Sequence, residues 1–421
     1  MLGAGVSLPV MRPSAFAHLF RAAPIAGDRP PLAVAEDETY WREIQRAFDL
    51  DRTMINLNNG YCSPAPAHVV EQMIRDIRFS NELPVEHMNR YLEPRIESVR
   101  RDLAEEFGCD PEEIAVVRNA SEANETMILG LDMKPGDEVI YTTQNYPRMQ
   151  NTWVQRQRRE GIVLKPVKIE TPVKSTESYV SAIANAITPR TKAIEIMHLS
   201  FRTGYVAPVR EIVELAKPKG IRVYIDGAHA FGQLPMKRDE LGADYYGTSL
   251  HKWMHAPVGT GMLYVRRDRI KSLWPLMAGS VEQEDNIRKY EEIGTHPVAI
   301  HNSVSVAIAF TRGIGMERKI ARLRYLRDRW ANRLLAGSDR VKVFTPLGPN
   351  QSGAIGVFDV QGMDLGKLAG WLQSKHNIVT AVVSVPGEFN GMRITPNVYT
   401  TVDEVDLFAD RVLSAIKSGV A

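Results

Sequence analysis

Residues 224–229 read Tyr-Ile-Asp-Gly-Ala-His, so an apolar strand ends on an acid, Asp226, and is followed by a histidine, His229. Residues 249–253 read Ser-Leu-His-Lys-Trp and place Lys252 just beyond the end of the next predicted strand. Asp226 and Lys252 are 26 residues apart, which fits two neighbouring strand ends joined by a helical crossover. Because parallel strands end at one edge of a sheet, we expect the acid, the histidine and the lysine to lie close together.

The apolar segments around these stretches alternate between strand and helix patterns. This βαβ rhythm predicts an α/β fold with a mostly parallel sheet covered by helices. From Met316 the pattern changes to a long basic helix over residues 320–335, followed by short strands and two helices. We therefore expect a large domain over residues 37–315 and a smaller α+β domain over residues 316–421. The strands predicted for the large domain cover residues 114–117, 138–142, 193–198, 222–225 and 261–265.

Residues 1–36 are expected to be a leader or a disordered arm. Residues 2–10 are apolar and small, and residues 14–17 (Ser-Ala-Phe-Ala) have the small-x-small form of a cleavage site. No basic region precedes them, so residues 1–17 could be the remainder of a twin-arginine export leader. The protein would then be periplasmic, and without a leader it would be cytoplasmic. Residues 23–36, with three prolines, are predicted to be extended.

Composition narrows the possible partners. The 421 residues carry a formal net charge of +2, and 24% of them are charged. This balance gives no reason to expect nucleic acid or an anionic membrane as a partner. The sequence has no run of eighteen apolar residues, so no membrane-spanning helix is predicted. Two cysteines, Cys62 and Cys109, are too few for a disulfide framework and are expected to be ordinary thiols.

A lysine and a strand-end acid form the set that pyridoxal phosphate (PLP) requires. The lysine amine forms a Schiff base with the aldehyde, and the acid keeps the ring nitrogen protonated. With these residues the chain resembles the class V aminotransferase family of fold-type I PLP enzymes, which includes cysteine desulfurases and isopenicillin N epimerase-like proteins. The resemblance runs from about Asn56 to the C-terminus. It implies PLP as the cofactor, a seven-stranded sheet in the large domain, and a homodimer whose chains share each active site.

The resemblance also implies which residues hold the cofactor. Lys252 would be the Schiff-base lysine, Asp226 would pair with the ring nitrogen, and His229 would donate to the ring O3′. Tyr146 would stack on the ring, although a loop tyrosine that covers the core is the alternative. Thr295 would reach the phosphate of the neighbouring subunit. The residues implied at the phosphate are Ala120, Ser121, Glu122, Ser249 and His251.

The first part of this phosphate site has a simpler explanation as well. Residues 119–124 follow a strand and open a helix, where backbone N–H groups suit a dianionic phosphate. Taken alone, Ser121 is more typical of a helix N-cap, the commonest role of serine at such a position. The order of the motifs along the chain, which is that of the family, favours the phosphate site.

Other residues are implied for the substrate. Arg393, in the segment Gly-Met-Arg-Ile-Thr, is the candidate fork for an α-carboxylate, where two parallel hydrogen bonds are needed. Arg202 could bind a substrate carboxylate, although a lone arginine is more often a surface residue. The turn that contains Asn58 and Tyr61 resembles an active-site wall.

One absence from the family pattern bears on the reaction. Cysteine desulfurases carry a nucleophilic cysteine on the loop shortly before the carboxylate-binding arginine. The corresponding residues 382–390 contain no cysteine, which argues against a persulfide mechanism. Glu388 lies in this loop and could contact the substrate, or it is an exposed acid.

These residues predict a PLP enzyme that acts at Cα of an amino acid or an amino-acyl group, with isopenicillin N epimerase-like proteins as the nearest likeness. Epimerisation, transamination and loss of a β-substituent all stay open, and epimerisation would need a second base, for which Tyr146 is a candidate. If the leader is real, a transaminase or lyase that matures an exported peptide or siderophore precursor is the alternative. A non-enzymatic relative would lack the lysine or the acid. Because the lysine and the acid are both present, a non-enzymatic relative is disfavoured. A nicotinamide enzyme is disfavoured because no G-x-G-x-x-G turn follows a first strand.

Overall fold

The computed structural model describes residues 15–420. The strands are β1 (Ile55–Asn56), β2 (Ile114–Val117), β3 (Glu138–Thr142), β4 (Val163–Val167), β5 (Thr191–Met197), β6 (Arg222–Asp226), β7 (Tyr245–Ser249), β8 (Gly261–Val265), β9 (Val341–Val343), β10 (Gly356–Val360), β11 (Ile378–Val379), β12 (Ala381–Val385) and β13 (Phe389–Ile394). The helices are α1 (Ala15–Ala26), α2 (Pro31–Ala35), α3 (Glu38–Gln45), α4 (Ala67–Glu82), α5 (Pro84–His87), α6 (Glu93–Phe107), α7 (Ala120–Leu129), α8 (Pro147–Glu160), α9 (Thr176–Ala186), α10 (Val209–Ala216), α11 (Arg238–Leu241), α12 (Arg267–Ile270), α13 (Val298–Asn302), α14 (Val304–Ile314), α15 (Met316–Gly337), α16 (Leu365–His376) and α17 (Val402–Ser418).

The large sheet has seven strands in the order β2-β8-β7-β6-β5-β3-β4. Strand β8 runs antiparallel to both of its neighbours, and the other pairs are parallel. One face packs on α6, α9, α10 and α14, and the other packs on α7 and α8. The predicted fold class, a mostly parallel seven-stranded sheet between helices, is confirmed. In this arrangement the carboxyl ends of β5, β6 and β7 are neighbours.

Two glycines let α7 approach the sheet closely. A Cβ atom on Gly247 in β7 would overlap Asn124 Oδ1, and one on Gly261 in β8 would lie 2.6 Å from Asn119 Cα. A side chain at either position would therefore push the helix away. The close approach places the beginning of α7 beside Ser249, the last residue of β7.

A second, four-stranded sheet has the order β12-β13-β10-β9, and all of its pairs are antiparallel. It packs with α15, α16 and α17 around a separate apolar core. This agrees with the predicted α+β character of residues 316–421, while the domain boundary itself stays a prediction. Strands β4 and β12 were not predicted. In β4 the apolar pattern is broken by Lys165 and Pro166, and proline is tolerated because β4 is an edge strand.

Residues 15–36 are not extended or disordered, so the expectation of an arm was wrong for this part. Helix α1 packs on α3 and α14, and α2 packs on α15. Ala15 and Ala22 are buried in this contact, at 3% and 1% exposure. Pro31 is tolerated because it occupies the first turn of α2, where its missing N–H costs no hydrogen bond. The rest of the predicted leader, residues 1–14, lies outside the described residues.

Among residues 15–420, no helix combines the length and the apolar character needed to cross a membrane.

Candidate active site

The lysine and the histidine of the opening motif meet at the edge of the large sheet. Strands β6 and β7 pair in parallel, with Asp226 opposite Gly247. The loops that follow them bring Lys252 Nζ to 3.0 Å from His229 Nε2. Burial lowers the pKa of Lys252 to about 8, against the opposing charge of Asp226. The amine is therefore far easier to deprotonate than an exposed lysine.

The tautomer of His229 follows from the hydrogen bond at its other ring nitrogen, Nδ1. The indole of Trp253 donates from Nε1 to His229 Nδ1 at 3.4 Å, and an indole N–H can only donate. Burial, and then the Lys252 charge, hold the pKa of His229 well below its usual range, so the ring is neutral. A neutral imidazole that accepts at Nδ1 carries its proton on Nε2. In this tautomer His229 can donate to the Lys252 nitrogen whenever that nitrogen is a neutral amine, a form that its pKa of about 8 brings within reach.

Asp226 is buried at the end of β6. Its Oδ1 accepts a hydrogen bond from the Ala228 N–H at 2.9 Å. Burial raises the pKa of Asp226, while that hydrogen bond, the Lys252 charge and the Asn124 amide act in the opposite direction. A buried carboxylate needs a cationic partner to stay ionised. A protonated pyridine nitrogen is a partner of this kind.

The beginning of α7 and the end of β7 form the predicted phosphate region. The Ala120 N–H donates to Ser249 Oγ at 2.9 Å, which joins two of the predicted residues directly. Asn119, rather than Ser121, is the N-cap of α7, because its Oδ1 accepts from the Glu122 N–H at 2.9 Å. The explanation of Ser121 as a cap was therefore wrong, and its hydroxyl does not serve the helix end.

Two predicted phosphate ligands differ in how well they suit that role. The Glu122 carboxylate pairs with Arg118 at 2.7 Å, and its N–H is already held by the cap. The geometry thus engages Glu122 in the helix end instead of offering it to an anion. His251 is half-buried, and its Nδ1 lies 3.2 Å from the Thr260 carbonyl oxygen, so that Nε2 is the ring nitrogen not engaged by this contact.

An aromatic group faces His229. The ring of Phe201 lies 6.3 Å from that of His229, with 26° between their planes. Tyr146, which precedes α8 and is 39% exposed, packs edge-on against Phe201 at 5.5 Å. Tyr146 thus lies beside Phe201, and its stacking on a bound ring stays a prediction. Phe201 was not among the predicted site residues, and its place beside Arg202 in the same loop was the available signal.

Arg393 enters the site from β13 and is 7% exposed. Its Nη2 donates to Asn58 Oδ1 at 2.8 Å and its Nη1 donates to the Phe201 carbonyl at 3.1 Å. Its Nε is buried and has no hydrogen-bond partner. Burial, and then the charge of Arg202, lower the pKa of Arg393 to about 10. A substrate carboxylate would supply both the missing acceptor and the missing negative charge.

The turn with Asn58 and Tyr61 lies against His229. A Cβ atom on Gly60 would lie in ordinary contact with His229 Cε1, at 3.6 Å, and in a tighter contact with Thr395 Cγ2, at 3.1 Å. Asn58 contacts Arg393, whereas Tyr61 is 73% exposed and stands at the rim. Thr295 is exposed on the loop before α13. A single chain does not bring Thr295 to these residues, and its role in a neighbouring site stays a prediction.

Cys62 is close to the lysine in space, although it is distant in sequence. The Ser63 N–H donates to the His251 carbonyl at 2.9 Å, which fixes the turn beside Lys252. The Lys252 charge acts on Cys62, but burial dominates and raises the pKa of its thiol. The sequence pattern gave no indication of this proximity.

This set of groups fits PLP. Lys252 offers a neutral amine for the aldehyde, Asp226 offers a buried carboxylate for the ring nitrogen, and Tyr146 offers a ring for stacking. Ser249 and His251, beside the N-terminus of α7, offer donors for the phosphate. PLP, when bound, withdraws electrons from Cα of an attached amino acid and so makes the Cα proton acidic. Fold and site together define a PLP-dependent enzyme of fold type I.

The comparisons with known proteins agree. A model of the family "Aminotransferase class-V" matches residues 55–408, and the chain belongs to that family. The chain is similar to the isopenicillin N epimerase of Streptomyces clavuligerus, with 29% identity over 398 residues that cover 90% of this chain and 98% of the relative. It is also similar to a cysteine desulfurase of Haloferax volcanii, with 25% identity over 72% of this chain and 74% of the relative.

Solved structures share the fold. A cysteine desulfurase from Thermococcus onnurineus has a TM-score of 0.76 at 21% identity, with 89% of this chain and 98% of that chain covered. A cysteine desulfurase from Escherichia coli has a TM-score of 0.77 at 20% identity, with 90% and 98% covered. At these identities the likeness concerns the fold alone.

Proposed function

We propose that this PLP-dependent enzyme acts at Cα of an amino acid or of an amino-acyl or peptidyl substrate, with isopenicillin N epimerase-like chemistry, either epimerisation or transamination. The contact between the Lys252 amine and the His229 N–H carries the proposal. With the lysine pKa lowered to about 8, it makes the neutral base accessible, which is the form that can take a proton from Cα. Relatives with two different activities, isopenicillin N epimerase and cysteine desulfurase, match much of the chain. The choice of reaction is therefore argued from the site residues.

Each residue has a proposed role. Lys252 binds the cofactor and, once released from it, moves the Cα proton. Asp226 holds the positive charge at the ring nitrogen, and His229 orients the amine and donates to the ring oxygen. Tyr146 covers the ring, and its phenol is the proposed acid on the opposite face if the product is inverted. Arg393 binds the α-carboxylate.

A desulfurase reaction is disfavoured by the position and the state of the thiols. The hairpin of β12 and β13, which precedes and contains Arg393, has no cysteine in residues 381–394. Cys62 is near Lys252, but burial raises its pKa and so favours the thiol over the nucleophilic thiolate. This supports chemistry at Cα rather than attack on sulfur.

One observation favours a substrate larger than a free amino acid. A cavity of about 530 Å³ adjoins the site, and Asn58, Tyr61 and Cys62 contribute to its wall. Asn58 also holds Arg393, so a group attached to a bound amino acid could extend into this space. The same cavity would suit the alternative, a transaminase or lyase that matures a peptide or siderophore precursor.

We also propose a homodimer. Several large apolar side chains are exposed on the single chain, with Val85 at 76%, Trp274 at 64% and Val281 at 86%. Burying apolar side chains of this size would stabilise an association of two copies. Thr295, on the exposed loop nearby in sequence, would then reach the partner's site. Light scattering on the purified protein measures its molar mass in solution and so tests whether it is a dimer.

The function is tested by incubating the holoenzyme with amino acids and dipeptides in deuterated buffer. Deuterium at Cα with inversion and retention of the amine would show epimerisation. A keto acid would show transamination, and an unsaturated or hydrolysed product would show elimination. Lys252→Ala is the control, and it should abolish every exchange. Incorporation that persists in this variant, or its absence with all substrates in the native enzyme, contradicts the proposal.

A further inference from the structure

Two arginines converge on one segment of the site. Arg393 donates to the backbone carbonyl of Phe201 at 3.1 Å. Arg202 folds back over the Phe201 ring, with its Cζ 4.7 Å from the ring centroid. Phe201 in turn stacks on His229. Both guanidinium groups are thus tied to the aromatic residue that faces the reacting centre.

All hydrogen-bond acceptors that the described chain offers to these two cations are neutral. Arg202 donates from Nε to the Gln144 carbonyl at 3.2 Å and from Nη1 to the Ser384 carbonyl. Arg393 donates to a carbonyl and to the Asn58 amide, and its buried Nε has no partner. The hydrogen bonds leave the two positive charges uncompensated.

Such an arrangement is unfavourable until an anion arrives. Burial lowers the pKa of both Arg202 and Arg393, and the charge of Arg202 lowers the pKa of Arg393 further. The two cations therefore repel each other in a medium that screens them poorly. Glu388 lies near enough to favour the charged form of Arg202, but the Glu388 Oε2 atom has no partner of its own. One α-carboxylate on Arg393 would satisfy only one of the two guanidinium groups.

We propose that Arg202 and Arg393 form a two-anion site, which selects amino-acid substrates that carry a second carboxylate besides the α-carboxylate. The inference rests on the proposed function, in which Arg393 binds the α-carboxylate. The second carboxylate binds Arg202 on the side of the β12–β13 hairpin, where Glu388 competes with it. Phe201 packs between the two anionic ends of the substrate.

A structural role for Arg202 is the competing explanation. Its two hydrogen bonds link the Gln144 loop to Ser384 in the hairpin, so its loss could disturb the site in general. A merely structural role would weaken every ligand alike. An anion-binding role would weaken only the ligands that carry the second carboxylate.

The test measures Kd by calorimetry for the holoenzyme with succinate, glutarate and adipate, each against its monoamide. These ligands have no amine and cannot react. We expect one chain length to bind about tenfold to a hundredfold more tightly than its monoamide, the worth of one charge-assisted hydrogen bond. Arg202→Gln should bring this ratio close to one. Arg210→Gln, which removes a surface arginine with 58% side-chain exposure, is the matched control and should leave the ratio unchanged.

A second variant covers the case in which Arg202→Gln does not fold. Glu388→Gln removes the competing carboxylate and should raise the preference for the diacid severalfold. A native enzyme with no diacid preference at any chain length, or equal weakening of diacid and monoamide in Arg202→Gln, would overturn the inference. Deuterium exchange with L-glutamine in the same variants reports on the proposed function separately. Exchange without diacid preference would leave that function standing.

Discussion

The Lys252 Nζ atom lies 3.0 Å from His229 Nε2, and in its neutral form the amine can accept a hydrogen bond from that nitrogen. The direction of this bond is set by Trp253, whose indole N–H occupies the other ring nitrogen of His229. Trp253 follows Lys252 directly in the chain, so one segment carries both the base and the residue that positions its partner. Lys319 donates to the Trp253 carbonyl and anchors the same segment. The site is thus arranged to make the neutral form of the lysine accessible near neutral pH.

The reactivity of Lys252 should depend on pH with a midpoint near 8, because burial lowers its pKa to about 8. The neutral amine is the reactive form, so acetylation of the cofactor-free protein should fall about tenfold for each pH unit below that midpoint. Competitive labelling with acetic anhydride, read by mass spectrometry, measures this. Exposed Lys174 serves as the internal reference. A midpoint near 10 would contradict the buried, neutral amine.

Replacing Trp253 with Phe should raise the pKa of Lys252. Without the indole donor, His229 can carry its proton on Nδ1 and accept at Nε2, which favours the ammonium form. The loss of about 1 kcal/mol of hydrogen bonding corresponds to a shift of roughly half a unit to one unit. The same labelling experiment reads the midpoint, and nitrogen NMR of His229 reads the tautomer.

The matched control for that variant is Trp274→Phe. Trp274 is 64% exposed and donates to Asp132 at 3.0 Å, away from the lysine. It should leave the Lys252 midpoint in place. If Trp253→Phe also leaves the midpoint and the tautomer as they were, Trp253 does not position His229.

Replacing Asp226 with Asn should weaken PLP binding. The amide cannot hold a protonated ring nitrogen by a charge-assisted hydrogen bond, which contributes about 1.5–3 kcal/mol. The expected loss of affinity is roughly tenfold to a hundredfold, measured by titrating the cofactor-free protein with PLP. Asp239→Asn, at an exposed acid on α11, should bind PLP as before. Unchanged affinity in Asp226→Asn would place the ring nitrogen elsewhere.

Replacing Gly247 with Ala should destabilise the fold and loosen the phosphate region together. Its Cβ would overlap Asn124 Oδ1 and crowd Ala123 at 2.9 Å, so α7 must move. Overpacking of this kind costs about 1–3 kcal/mol of unfolding free energy, measured by urea denaturation. Gly370→Ala on α16 is the control, since nothing lies within 4 Å of its Cβ. It should be neutral or slightly stabilising. Equal stability of both variants would show that α7 can shift freely.

Much of the fold was predictable because it depends on local patterns. Strands β2, β3 and β8 have the predicted bounds, since each is a short apolar run between breaks. Strand β12 was not predicted, because its role depends on pairing with β13. The N-terminal prolines led to the wrong prediction of an extended arm in place of α1 and α2. Pro31 lies in the first turn of α2, where proline is tolerated, and Pro24 lies inside α1, so a count of prolines did not indicate where the helices run.

The site residues also fall into those that local sequence patterns predict and those that only tertiary packing brings together. The sequence by itself determined that Asp226, His229 and Lys252 share one edge of a sheet, because strand alternation and spacing fix where strand ends fall. Only the tertiary structure decided that Trp253 donates to His229, that Cys62 lies near Lys252, and that Arg202 and Arg393 meet at Phe201. Arg393 and Asn58 are distant in the chain and become partners because Asn58 pairs with Thr395, two residues beyond Arg393. Such contacts depend on register and packing across the whole molecule, and no local pattern of residues encodes them.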